Sequence, residues 1–124
     1  VQYAILIYGS EAAQNEMMQA RSEEEQAAEL GRWFAYTDDL KKSGVYVAGE
    51  ALERTGTAST VQIRDGERLV TDGPFAETKE QLGGFYIIDV DSQDEAVEWA
   101  AKIPSAPYGP VEVRQIMVFD EVPA

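Results

Sequence analysis

The chain is 124 residues long, with 10 basic and 23 acidic side chains and a formal charge of −13 at pH 7. That length fits one domain, and a hydrophobic content of 44% is enough to close a core without covalent staples. With no cysteine and no histidine the sequence excludes disulfides, thiolate nucleophiles, imidazole bases and nitrogen ligands for zinc, while the acid excess argues against nucleic acid and anionic membranes as partners.

Residues 2–8 (Gln-Tyr-Ala-Ile-Leu-Ile-Tyr) are rich in β-branched and aromatic side chains and end at Gly9-Ser10, which predicts a first strand. Tyr3, Ile5 and Ile7 alternate with Ala4, Leu6 and Tyr8, so both faces are apolar and both need cover. The run covers about a third of a membrane span, has no basic residues before it and leads into no cleavage site, so the cytoplasm is the expected location. Glu11 to Arg21 shows no clear period and reads as a loop or short helix. A helix then starts at Ser22, where Ser22 and Glu25 have capping-box spacing. Glu23, Glu24 and Glu25 sit at the positive end of its dipole, Lys41 and Lys42 at the negative end, and Gly44 stops it. Ala27, Leu30, Phe34, Thr37 and Leu40 recur at spacings of three and four, predicting one buried stripe.

Val45 to Leu52 reads as a second strand. Thr60 to Arg64 and Glu67 to Thr71 flank Asp65-Gly66, the signal of a hairpin closed by a tight type I′ turn. Gly84 to Val90 is again apolar on both faces and should be central. Ser92 with Glu95 opens another helix, Ala96, Val97, Ala100 and Ile103 form its buried stripe, and Pro104 ends it. Val111 to Phe119 is the last predicted strand.

Residues 1–124 therefore read as a single α+β domain of the split β-α-β, ferredoxin-like kind, with a β-hairpin inserted between its two halves. Such a sheet carries helices on one face only. A second copy pressing sheet to sheet, as a dimeric α/β barrel, is the simplest cover for the other face, so a homodimer is expected. The acidity disfavours a membrane in that role.

The densest unusual stretch runs from Thr71 to Gly84. Turn chemistry accounts for Gly73 and Pro74. Asp72, Glu77 and Lys79 stay open between a turn and a site, since a carboxylate beside an ammonium at the mouth of a sheet can bind a polar ligand or move a proton. Trp33 and Tyr36 are either aromatic walls or core residues. Arg32 is either a bidentate anchor for an anionic ligand, with Glu50 as counter-charge, or the two are solvated or dimer-interface ions worth little. Asp89 to Asp94 begins like a calcium loop, but Asp94 stands where glycine is needed and Ala100 where the bidentate glutamate belongs. No phosphate-binding glycine loop and no Ser-x-x-Lys occurs, no spacing singles out a metal, and no cofactor is expected.

The run Asp72-Gly73-Pro74-Phe75, continued by Ala76-Glu77-Thr78-Lys79-Glu80 and Gly83-Gly84-Phe85, closely resembles the signature of the DGPF group within the YCII-related proteins. Ala48-Gly49-Glu50, the Asp65-Gly66 hairpin, Glu95 to Ala100 and Val111 to Arg114 also sit where that group has them, so the resemblance covers nearly the whole chain. It implies a ferredoxin-like protomer, paired into a dimeric barrel with a small pocket in each protomer, and genes that tend to neighbour extracytoplasmic-function sigma factors. The better-known YCII proteins are proposed to use a His/Asp pair. Aligning on Gly44 puts Trp33 about where that histidine would fall, and an indole cannot exchange protons as imidazole does.

The resulting expectation is a homodimer that binds a small organic molecule, with cofactor-free acid/base chemistry by Asp72, or failing that Glu77, beside Lys79. Arg32, Trp33, Tyr36, Glu50 and Phe75 are the expected ligand contacts. The alternative is a non-catalytic sensor or interaction module whose acidic surface steers a sigma factor or other regulatory protein. Cofactor-free oxygenation or isomerisation rests on fold analogy alone.

Overall fold

The alternation in the first strand survives into three dimensions as β1 (Gln2–Gly9), whose Tyr3, Ile5 and Ile7 are buried while Ala4, Leu6 and Tyr8 are half-buried. A computed structural model describes residues 1–119. After β1 come α1 (Glu11–Ala20), α2 (Glu23–Lys42), β2 (Tyr46–Ala51), a short 3₁₀ turn (Thr55–Thr57), β3 (Ser59–Arg64) and β4 (Glu67–Asp72). β5 (Gln81–Asp89), α3 (Gln93–Ala101) and β6 (Val111–Gln115) complete the order. The main sheet runs β2-β5-β1-β6 with every neighbouring pair antiparallel, and β3 and β4 form a separate hairpin. This α+β arrangement is compatible with the ferredoxin-like order expected. Among the described residues no helix is long and apolar enough to cross a membrane.

Local chemistry explains the boundaries. Ser22 Oγ accepts from the Glu25 N–H while the Glu25 carboxylate accepts from the Ser22 N–H, so the first capping box is complete. Ser92 caps α3 the same way, but Glu95 reaches the Asp91 N–H instead of that of Ser92. The stretch with no readable period is helical because Ser10 caps it by accepting from the Ala13 N–H, and α1 buries none of its residues, which is why it shows no stripe. In the hairpin turn Asp65 (φ 51°) and Gly66 (φ 76°) both take the positive values that a type I′ turn requires.

α2 and α3 cover one face of the sheet, and Ile5, Leu40, Ile88 and Ile103 are fully buried at the centre of the core. The stripe expected on α2 is rotated. Tyr36 and Leu40 are its buried residues, Trp33 packs beside them, and Leu30 and Phe34 are 55% and 66% exposed. Tyr36 can turn inward because its hydroxyl donates to the Trp99 carbonyl at 2.9 Å, which satisfies the one polar atom that burial would strand. On α3, likewise, Val97 is exposed and Trp99 packs on the core in its place. β6 is shorter than the predicted 111–119. Its partner β1 begins at Gln2, so after Gln115 pairs with Tyr3 only the Ile116 N–H finds an acceptor, the Gln2 carbonyl.

The opposite face carries Ala4 and Leu6 of β1 against Ile87 and Phe85 of β5, with Ala48 of β2 beside Ile87. Among the described residues no helix packs there. The β3–β4 hairpin projects as an arm whose Val61 pairs with Val70, and both, with Ile63, are more than half exposed.

Candidate functional site

Glycines facing a helix leave room beneath it. Gly49 and Gly84 lie on the helix-facing side of β2 and β5, in register with Tyr86 and Ile7. A Cβ on Gly49 would come within 2.5 Å of the Tyr86 ring, and one on Gly84 within 3.0 Å of the Glu50 carbonyl oxygen. The missing side chains let the Tyr86 ring lie against β2. Between the sheet and α2 a cavity of about 650 Å³ opens, well within the range of small-molecule sites. Tyr8, Trp33, Phe34, Tyr46 and Tyr86 supply its aromatic residues, and Leu30 and Leu52 add aliphatic surface. The two residues that left the predicted stripe, Leu30 and Phe34, overhang this opening.

In the cavity Thr37 Oγ1 and Tyr86 Oη share a hydrogen bond of 2.6 Å. Burial pushes the Tyr86 phenol above its ordinary range, against the opposing effect of the Thr37 bond, so the hydroxyl stays protonated at neutral pH. It serves as a hydrogen-bonding group and not as a base. Tyr36, the residue before Thr37 and turned to the core side, meets Tyr86 edge to face at 5.3 Å, and burial followed by that neighbour raises its phenol too.

The cavity's charged residues are Glu11, Glu50, Glu53 and Arg54. The Glu11 carboxylate accepts from the Thr55 N–H and hydroxyl, both at 2.9 Å, and its own N–H donates to Gln81 Oε1 at 3.0 Å. Arg54 Nη1 reaches the Glu11 carbonyl at 3.5 Å. The Thr55 N–H, then its hydroxyl, hold the Glu11 carboxyl below its usual 4.5, with Arg54 adding to the effect. A depressed carboxyl stabilises the fold above its unfolded pKa and loses that contribution as pH falls through the folded value. Glu11→Gln should therefore melt below wild type at pH 7, and the gap should close as pH drops below 4.5. Melting curves between neutral and strongly acidic pH test this, and a gap independent of pH would remove the clamp from the account.

Of the residues singled out in the sequence, Trp33 and Glu50 line this cavity, Glu50 as an exposed residue on the strand face shared with Phe85. Arg32 and Tyr36 line a second, open cleft of about 530 Å³ between α2 and α3, with Lys42, Trp99 and Lys102. There Arg32 is ion-paired with Glu29, three residues earlier on the same helix. Asp72, Phe75, Glu77 and Lys79 lie in the arm and the segment after it, all exposed, and none lines the cavity of its own protomer. Among the described residues Asp72, Glu77 and Lys79 make no side-chain hydrogen bond or ion pair. Sequence reasoning passed over Tyr86, Tyr46 and Gly49. The signal available was a glycine inside each of two predicted strands, which marks a close approach or a missing side chain.

An antiparallel α+β sheet with helices on one face, a projecting hairpin and an aromatic-walled cavity beside the first long helix defines the class of protein. The chain belongs to the YCII-related family, whose domain matches residues 1–120. It is also 37% identical over 119 residues to an uncharacterised protein of Rhizobium meliloti (strain 1021), a match covering 94% of this chain and 93% of that relative.

Proposed function

We propose that this protein binds a small organic molecule in the cavity beside α2, as one half of a homodimer. The observation that carries the reading is the Thr37–Tyr86 hydroxyl pair set among aromatic and aliphatic side chains, because a few fixed polar groups in an apolar wall are what orient a small ligand. The half-buried sheet face and the apolar arm supply the surface for a second copy. In this reading Asp72, Glu77 and Lys79 act at a cavity only from a partner's arm, so acid/base work by Asp72 belongs to the assembled dimer.

A thermal-shift screen against a metabolite library tests the binding, since a ligand at a hundred times its dissociation constant adds ~2.7 kcal/mol of stability. Tyr86→Phe removes the hydroxyl and keeps the ring, at a cost of about 1 kcal/mol to the fold. Hits should lose at least tenfold in affinity in that variant and more in Trp33→Ala. Hits indifferent to both substitutions would overturn the assignment of this cavity.

A further inference from the structure

We infer that the cavity selects an organic cation, an amine carried on an apolar body, over neutral or anionic molecules of the same shape. The inference rests on the cavity being the ligand site and adds the chemical class of what enters it. Of the four charged residues at the cavity three are carboxylates; that of Glu11 is occupied by the Thr55 N–H and hydroxyl, while Arg54 Nη1 reaches only the Glu11 backbone carbonyl, at 3.5 Å. Glu50 and Glu53 remain, and among the described residues neither has a hydrogen-bond or ion-pair partner. With three carboxylates to one guanidinium, the charge at the opening is thus negative.

Two features act in the same direction. Aromatic residues line part of the wall, and ring faces carry the negative end of the quadrupole, so they attract a cation and repel an anion. The hydroxyl pair inside can accept from an ammonium, and the cavity has a single guanidinium. At longer range the chain's charge of −13 concentrates cations at its surface and depletes anions. A carboxylate or phosphate ligand would meet three carboxylates and a single guanidinium.

The test compares three probes with one body and different heads: phenethylamine, 2-phenylethanol and 3-phenylpropionate. Affinities are measured by calorimetry on the intact protein at raised salt, which suppresses attraction to the surface charge alone. The amine should bind at least tenfold tighter than the alcohol, and the carboxylate more weakly than the alcohol. In the shape-conserving variant Glu50→Gln/Glu53→Gln the amine should fall to within threefold of the alcohol measured on the same variant. Equal binding of amine and alcohol, tighter binding of the carboxylate, or an amine preference that persists in the double variant would each overturn the inference. If the alcohol nevertheless binds and is lost in Tyr86→Phe, the cavity reading stands without its cation preference. Failure of all three probes at millimolar concentration would overturn both.

Discussion

Leu40→Ala is expected to lower stability by about 2–5 kcal/mol, whereas Leu30→Ala, ten residues earlier on the same helix, should stay within about 0.5 kcal/mol of wild type. The difference is one of burial. Leu40 is fully buried where α2 turns toward β2, and its carbonyl accepts from the Val45 N–H at 3.2 Å, so truncating it opens a hole at a point the backbone cannot easily close. Leu30 is 55% exposed over the cavity mouth, and shortening it returns little apolar area to water. For a domain of this size each kcal/mol moves the melting temperature by about 4 °C, so the two variants should separate by roughly 8–20 °C. Equal losses in the two variants would mean that α2 sits on the sheet with the rotation its sequence period suggests and not the one described above.

That contrast also marks where the sequence is legible. Caps and turns are local chemistry, so Ser22 with Glu25, Asp65-Gly66 and Gly44 announce their geometry from two to four residues. The rotation of α2 is not local. Leu30 and Leu40 both suit a three-and-four spacing, and what turns Tyr36 inward is an acceptor on α3, the Trp99 carbonyl, 63 residues away. The cavity is harder still to read, because it comes from side chains that are absent at Gly49 and Gly84 and from a hydroxyl pair whose members are 49 residues apart. The run from Asp72 to Lys79 shows the reverse case. It is the most distinctive stretch in the sequence, yet it stands away from its own protomer's cavity, and residue type alone did not reveal that distance.

Ile87→Asp is expected to convert a wild-type dimer into a monomer, read by sedimentation velocity at micromolar concentration. Ile87 lies on central strand β5, pointing away from the helices, beside Ala4 on one neighbour and Ala48 on the other. In a two-fold, sheet-to-sheet pair that position occurs twice, so one substitution places two carboxylates in the apolar contact. Burying an unpaired ion costs several kcal/mol even after relaxation, which is enough to dissociate an ordinary interface. In the separated protomer the new carboxylate is free to reach water, so circular dichroism should be unchanged and melting should drop only by what the dimer contributed. A monomeric wild type, or a variant that remains a dimer, would overturn the pairing of these faces. The monomer also separates the two parts of the proposed function. Phenethylamine binding should persist in it, because Trp33, Thr37 and Tyr86 all belong to one protomer, whereas any proton transfer that depends on Asp72 of a partner arm should be lost with the dimer.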